Sequence, residues 1–495
     1  MKDGKNSKKK SSEKKGKLVL VSNGEPYVHE KTEGGYKSKK LPGGLTTGLD
    51  PLMRKEKGLW IAWGRGNDDF EVVDKKNRVK VPDQNGYTLK RINLSEEEVN
   101  GFYYGFSNEI MWPICHNFID KANFQHSYWE TYQKVNRKYT EAVLDETGKN
   151  DMIWIHDYHL TLVPNMIRKE RNNPKISLFW HIPWPSWEAF RTLPWKHEIM
   201  EGLLASDFIG FHTPQLLSNF LTCASKLGAE VNRGKATITY NNHKTLVSDI
   251  PLGVDFDELS SYQEKCITEK KCRDIKQHYH AEKLIFGVDR LDYTKGILQR
   301  LLAMERLFEK YPEYIGKATL VQRISPSRTR VDEYRKMRDE INKKIAEING
   351  RFQKDEWVPI KYFHGSVPQE ELLPYFSTAD IALITPLIDG MNLVSKEYIS
   401  VKENGILILS EFAGAAVALK DALTVNPYNI EEVADSIHNA LEMPDKERDK
   451  RYQNMRDKVS RYDINWWRDV FLKSWENIYN QQTEEAVNDS ISAIQ

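Results

Sequence analysis

Short apolar runs rich in valine, isoleucine and leucine, closed off by polar or glycine turns, recur along this chain at 18–22, 152–157, 176–182, 208–213, 284–290, 319–324, 360–364, 381–386, 406–410 and 423–426. A strand with one face in water alternates apolar and polar side chains, whereas an uninterrupted run has to be covered on both faces. Where such runs are separated by longer amphipathic stretches the cover is helical, and the pattern becomes strand, helix, strand around parallel sheets. The fold class is therefore α/β. At 495 residues the chain exceeds what one hydrophobic core organises, so the simplest assembly is two doubly wound sheets. The break falls between residues 250 and 282, where IPLGVDFDELSSYQEKC passes into a charged stretch ahead of LIFGVDR. Ligands of such folds collect beyond the carboxyl ends of strands and between domains, so chemistry is sought directly after each run.

Composition narrows the setting. Hydrophobic residues make up 40% and charged residues 29%, which suits a soluble globular body and not a disordered or fibrous one. No apolar run approaches the roughly 20 residues that cross a bilayer, and no apolar signal region follows the basic start, so a cytoplasmic location is expected. Cys115, Cys223, Cys266 and Cys272 form no CxxC pair, which fits reduced thiols. The formal charge of +1 conceals an asymmetry, because residues 1–17 hold eight lysines against Asp3 and Glu13 and leave the remainder mildly acidic. That tail is expected to be solvated and disordered. No aromatic residue interleaves with its lysines to stack on bases, so no nucleic-acid partner is expected. At the other end, 461–481 sets Trp466, Trp467, Val470, Phe471 and Trp475 at helical spacings, an apolar stripe expected to pack on the body, and 486–495 reads as a flexible tail.

Several chemistries lack their physical elements. There is no GxxxxGK[ST], HExxH or GxSxG, and no GxGxxG after the first run. Asp255, Phe256 and Asp257 form a DxD string in the connecting segment, where a metal role is not expected. MIWIHDYH (152–159) delivers His156, Asp157 and His159 to a strand's end. Successive strand side chains face opposite ways and do not converge on one ion, which favours sugar recognition, with a turn cap as the alternative. LFWHIPWPS (178–186) delivers His181 into an exit stiffened by Pro183 and Pro185; ligand contact and a satisfied core histidine both fit. GVDRLDYTKG (287–296) ends a strand with Arg290 and Lys295. Two such cations can compensate a leaving diphosphate, since unit charges about 4 Å apart at an effective dielectric near 20 interact by about 4 kcal/mol. Surface pairing with Asp289 or Asp292 is the alternative. DGMNLVSKE (389–397) begins a helix whose free N–H groups favour a phosphate, with Asp389 and Glu397 as acceptors for sugar hydroxyls. The loop LPGGL (41–45) lets backbone approach a ligand closely.

Taken in order, LVLVSN (18–23), the glycines at 43 and 44, FYYGFSNEIMWP (102–113), WIHDYHL, HIPWPS, IGFHT, GVDRLDYTKG, SPSR (325–328), DGMNLVSKEY, LILSEFAGAA and VNPYNIEEVADSI resemble the trehalose-6-phosphate synthase family over about residues 18–475. The resemblance implies a GT-B glycosyltransferase of two Rossmann-like domains facing a cleft. The N-terminal, acceptor-binding domain would span 18–255, the nucleotide-sugar-binding domain 256–460, and a helix over 461–485 would pack back on the body. It implies transfer of glucose from UDP- or GDP-glucose to glucose 6-phosphate with retention of the α anomer, giving α,α-trehalose 6-phosphate, with no metal and no other cofactor. The expected partners are these small molecules, with no membrane or nucleic acid; a homo-oligomer is compatible with the sequence.

Carried over position by position, Gly43 and Gly44 contact the donor diphosphate, and Arg290 and Lys295 neutralise it. Asp389, Gly390, Met391 and Asn392 belong to the donor site, Leu393 and Val394 offer main-chain amides, Glu397 holds the ribose and the Val367 backbone meets the base. His181 and Asp389 hold the donor glucose. Tyr103, Asp157 and Arg328 bind the acceptor, with Trp112 beside the reacting sugars. Retention without an enzyme nucleophile implies front-face attack, the leaving phosphate oxygen taking the acceptor proton while Arg290 and Lys295 stabilise the developing charge. Catalysis is then assigned to Arg290, Lys295, His181 and Asp157.

One position departs from the pattern. The family follows its first strand with an arginine, SNR, that contacts the acceptor phosphate, and here Gly24 stands in SNGEPY. One charge-assisted contact is worth roughly 1.5 to 3 kcal/mol, or about ten- to 150-fold in affinity. Lys39 or Lys40, beside the glycine loop, is one candidate substitute. A different acceptor is another, because EPY and PGG also resemble glucosylglycerol-phosphate synthases, which use glycerol 3-phosphate. A catalytically weak sugar-phosphate-binding regulator is the reading of a different class, opposed by the retained Arg290, Lys295 and DGMNLV.

Overall fold

The run that opens the sequence becomes the strand Leu18–Gly24, which pairs in parallel with Leu59–Trp63 on one side and Met152–His156 on the other. The structure, a computed structural model, describes residues 16–41, 43–266, 269–326, 332–365, 368–402 and 404–492. The first sheet has ten strands, in spatial order Glu230–Asn232, Thr237–Tyr240, His243–Asp249, Phe208–Phe211, Lys175–Phe179, Met152–His156, Leu18–Gly24, Leu59–Trp63, Tyr87–Ile92 and Arg78–Val81. It is parallel from His243–Asp249 to Tyr87–Ile92 and antiparallel at both edges. The second sheet has six strands, Ile360–His364, Ala318–Ser325, Lys283–Arg290, Ile381–Ile384, Ile406–Ser410 and Leu423–Val425, parallel throughout. Ile406–Ser410 is buried at every position, as an uninterrupted run in a covered sheet requires.

Chain order reverses once near the middle of each sheet. From Leu18–Gly24 the chain builds outward through Leu59–Trp63 and Tyr87–Ile92, then returns to the other side with Met152–His156. From Lys283–Arg290 it builds through Ala318–Ser325 and Ile360–His364, then returns with Ile381–Ile384. At such a switch point the connections on either side diverge and open a crevice beyond the carboxyl ends of the strands.

The final helix, Ile464–Ser492, leaves the second sheet and packs on the first. Trp467, Phe471 and Trp475 are buried among Trp60, Trp154, Phe179 and Phe208, and the rings of Trp154 and Phe471 stack 4.4 Å apart and nearly parallel. Trp466 and Val470, expected in the same stripe, are only partly buried. The helix continues to Ser492, past the end at 485 expected from sequence and into the stretch 486–495 read there as flexible. Lys396 Nζ donates to the Leu252 carbonyl at 2.6 Å and the Ile464 amide to the Val254 carbonyl at 3.0 Å, which pins the segment joining the sheets. Asp255 Oδ1 accepts the Glu258 N–H at 3.0 Å, so the DxD string starts the helix Phe256–Cys266. Residues 1–15, most of the lysine-rich tail, lie outside the described residues. Among the described residues no helix is long and apolar enough to cross a membrane, and Cys115, Cys223 and Cys272 are free thiols.

Candidate active site

The two switch points face one another across a cavity of about 280 Å³. The first sheet contributes Asn23, Asp157 and His181, and the second contributes Arg290, Lys295, Asp389 and Gly390. Tyr103 enters from Val99–Met111, a π-helix, and Trp112 follows directly after it. Wider helical turns of this kind re-aim side chains and cluster at functional sites.

Each polar group on the first side is held by backbone. The register with Leu59–Trp63 slips between Ser22 and Gly24, so Asn23 is an extra residue in its strand, turned by the bulge toward the cavity. Its Oδ1 is buried with no partner among the described residues. Asp157 takes a left-handed conformation, φ 73°, which costs a non-glycine residue about 1 kcal/mol or more and is retained where the surroundings enforce it. Its amide donates to the Phe179 carbonyl at 2.8 Å, and its Oδ1 accepts the His181 amide at 3.2 Å. It makes no side-chain cap on the following turn, so the capping alternative is not adopted. His181 Nε2 lies 3.1 Å from His156 Nδ1, and the His181 carbonyl accepts from His212 Nε2 at 3.1 Å. Burial pushes His181 down to about 3 and holds His156 and His212 well below the usual range. All three are therefore neutral at physiological pH and offer hydrogen bonds without charge.

Cations come from the second side. Arg290 is exposed, lies 5.6 Å over the Trp112 ring and has no ion pair among the described residues. Asp289 is occupied by Arg300 at 2.6 Å and Asp292 accepts the Thr294 amide at 3.0 Å, so the surface pairing considered for Arg290 is not formed. Lys295 Nζ lies 2.6 Å from Asp389 Oδ2, which also accepts from Asn392 Nδ2 at 3.2 Å. Burial pushes the Asp389 carboxyl up, but the Lys295 charge and these hydrogen bonds outweigh it and hold the group below its ordinary value. Among the described residues no group of three or more His, Cys, Asp or Glu side chains could hold a metal ion.

The model of glycosyltransferase family 20 matches residues 16–477. The chain belongs to that family. It is 36% identical over 482 residues to the UDP-forming α,α-trehalose-phosphate synthase of Candida albicans, covering 96% of this chain and 99% of that one. A solved E. coli structure bound with UDP-2-fluoro glucose superimposes with a TM-score of 0.84 at 34% identity, covering 93% of this chain and 98% of that one. A UDP-forming α,α-trehalose-phosphate synthase from Burkholderia xenovorans in complex with glucose-6-phosphate does so with a TM-score of 0.83 at 33% identity, covering 93% and 100%. Two Rossmann-like units facing a cleft, the GT-B arrangement, is thus the fold of this family 20 chain.

The remaining positions expected on the donor side are not in the cavity's lining. Asn392, left-handed at φ 73°, caps the helix Leu393–Val401 by accepting the Ser395 amide at 3.0 Å. Leu393 fills the space beside Gly44 so closely that a Cβ there would collide with it, and Gly43 takes a φ of 153° that side chains rarely adopt. The glycine loop and DGMNLV, far apart in sequence, therefore meet. Met391 is buried and Val394 partly so. Glu397 has no partner among the described residues, and burial pushes its carboxyl up to about 7. Arg328 and Val367 lie outside the described residues.

Sequence reasoning did not select Asn23, His116, Tyr158, Ile182 or Pro183, which also line the cavity. Four of them lie within the quoted motifs LVLVSN, WIHDYHL and HIPWPS without having been given a ligand role, and that membership was the available signal; His116, packed 4.0 Å from Trp112, carried none. Lys39 is paired with Glu30 at 2.9 Å and Lys40 with Asp50 at 3.5 Å. Neither lines the cavity, so neither is placed as the candidate substitute for an arginine at position 24.

Proposed function

We propose that this family 20 chain transfers glucose from a nucleotide diphosphate to glucose 6-phosphate with retention, giving α,α-trehalose 6-phosphate, and does so in the cytoplasm. The observation that carries the reading is the convergence of Arg290 and Lys295 from the second sheet's side with Asp157 and His181 from the first's, and with Tyr103 and Trp112 from the helical segment 99–115, around one cavity. The complexes of similar proteins with UDP-2-fluoro glucose and with glucose-6-phosphate support it.

Residues 18–255 are read as the acceptor-side domain and 256–460 as the donor-side domain. Arg290 and Lys295 take up the charge that develops on the leaving diphosphate, where fixed charges in a closing cleft act most strongly. Lys295 exchanges its bond to Asp389 for the phosphate, which frees Asp389 for a glucose hydroxyl. Neutral His181, held by Asp157 and His212, presents a hydrogen bond to the same sugar. Gly43, Gly44, Leu393 and Val394 offer backbone to the diphosphate, Glu397 the ribose contact and Val367 the base contact, and Gly390, Met391 and Asn392 complete the donor loop. Tyr103, Trp112, Asp157 and Arg328 receive the acceptor. The acceptor oxygen attacks on the face the phosphate leaves, and its proton passes to that phosphate oxygen, so no carboxylate nucleophile is assigned.

The test is an assay of the purified protein with UDP- and GDP-glucose against glucose 6-phosphate and glycerol 3-phosphate, with and without chelator. Transfer to glucose 6-phosphate that survives chelation is expected. Preference for glycerol 3-phosphate would move the chain to the glucosylglycerol-phosphate reading, no turnover with any pair to the regulator, and loss with chelator would overturn the metal-free mechanism.

A further inference from the structure

The bulge at Asn23 sets Gly24 opposite Trp63 in the neighbouring strand, and the space where a side chain at 24 would start is already taken. A Cβ on Gly24 would lie 3.2 Å from Nη2 of Arg65 and 3.7 Å from its guanidinium carbon. Gly24 is not among the residues of positive φ, so its backbone does not require glycine. A side chain there would instead have to push aside the guanidinium beside it.

Arg65 stands on a fixed base. Its amide donates to Glu25 Oε1 at 2.6 Å and the next amide, of Gly66, to Asp69 Oδ2 at 2.6 Å. Glu25 and Asp69 are fully buried, each 2.9 Å from the buried guanidinium of Arg91. Burial, together with the hydrogen bond to Asp69, pushes the Glu25 carboxyl up to about 8, while Asp69, despite its own burial, is held below its ordinary value by its hydrogen bonds and the Arg91 charge, so the pair shares one negative charge and Arg91, not Arg65, balances it. The Arg65 side chain is exposed, with no hydrogen bond or ion pair among the described residues. Its surroundings are the acceptor end of the cavity: Asn23, next to Gly24, lines it, and so does Tyr103, whose ring packs 5.7 Å from that of Trp63.

We propose that Arg65 binds the phosphate of the acceptor, supplying from the loop after Leu59–Trp63 the cation that the family places at the end of the first strand, with Gly24 as the room it needs. The planar guanidinium can grip a phosphomonoester through two parallel N–H bonds, which a lysine cannot reproduce. The proposal rests on the reading of the cavity as a glucosyltransferase site with a phosphorylated acceptor.

The experiment compares full-length wild type, Arg65→Ala, Arg65→Lys, Gly24→Arg and the double variant Gly24→Arg/Arg65→Gly, with thermal melts as a check that each is folded. Rates are measured at saturating UDP-glucose while glucose 6-phosphate or unphosphorylated glucose is varied. Arg65→Ala is expected to raise KM for glucose 6-phosphate by about ten- to 150-fold, the worth of one charge-assisted contact, with KM for UDP-glucose and the use of glucose unchanged. Arg65→Lys should fall between, Gly24→Arg alone should not improve affinity, and the double variant should restore it. An unchanged KM in Arg65→Ala, or equal losses for glucose and glucose 6-phosphate, overturns the proposal. Should wild type transfer to no phosphorylated acceptor, the functional reading fails by itself, and calorimetric titration with glucose 6-phosphate then decides Arg65: binding that survives Arg65→Ala overturns the role.

Discussion

A Cβ on Gly390 would lie 2.6 Å from the carbonyl oxygen of His181 and 3.1 Å from the carbonyl carbon of Ile182, so the glycine of DGMNLV is the point where this loop of the second sheet touches the histidine loop of the first. Gly390→Ala would wedge the two loops apart, at a typical overpacking cost of about 1–3 kcal/mol. Because the loops can separate without unfolding either sheet, the loss should appear in catalysis: kcat/KM lower by about tenfold or more, with the melting midpoint nearly unchanged. Wild-type turnover in Gly390→Ala would mean the approach is not needed.

Lys295 is the cation whose removal should matter most. Its ammonium holds Asp389 at 2.6 Å, so Lys295→Ala removes the charge offered to the diphosphate and releases the carboxylate that should face the sugar. Removing one such electrostatic contact typically costs about 10²–10³ in kcat. Circular dichroism and thermal melting should show an intact fold, and unchanged activity would refute the clamp role.

With the proposed ribose contact, the Glu397 carboxyl, raised by burial from 4.5 to about 7, is expected to link donor binding to pH. Between these values the folded state keeps a proton that the unfolded state has lost, so this group makes stability fall as pH rises through that window and level off above it. Donor affinity should move the other way, because only the ionised carboxylate accepts from both ribose hydroxyls. KM for UDP-glucose is expected to rise as pH is lowered through about 7 in wild type, and this dependence should disappear in Glu397→Gln. A pH profile unaltered by the substitution would exclude Glu397 as its source.

Trp467 sits at zero exposure between Trp154, Phe179 and Phe471. Trp467→Ala should cost about 3–5 kcal/mol of stability, whereas Trp466→Ala, one residue earlier and only partly buried, should cost clearly less. Denaturant titration followed by circular dichroism measures both; equal costs would show that the last helix is not held by this face.

The parallel strands were legible because burial on both faces writes itself into sequence as an unbroken apolar run. Tyr87–Ile92, with partly exposed positions between buried ones, and the short antiparallel edge strands lacked that signal, and LWIAW at 59–63, fully buried but for Trp63, was passed over beside the longer runs. Nothing local announced the π-helix that carries Tyr103. Asp157, His181, Arg290, Lys295 and Asp389 were legible for the converse reason: each lies at the end of a buried run or within five residues after it, and in a doubly wound sheet that is where a cavity opens. Asn23 was not, because the bulge that turns it exists only in its pairing with Leu59–Trp63.

By itself, then, the sequence determined which runs are strands, where polar groups leave them, and that Gly24 stands after Asn23, where the resemblance implies an arginine. It could not tell what takes that place. The nearby lysines at 39 and 40 proved to be tied to Glu30 and Asp50, and the guanidinium beside Gly24 belongs to Arg65, in the loop that follows the adjacent strand. Only tertiary structure decided this, because which side chain fills the space above a glycine depends on strand register and on the buried carboxyls that anchor the neighbouring loop, and chain distance records neither.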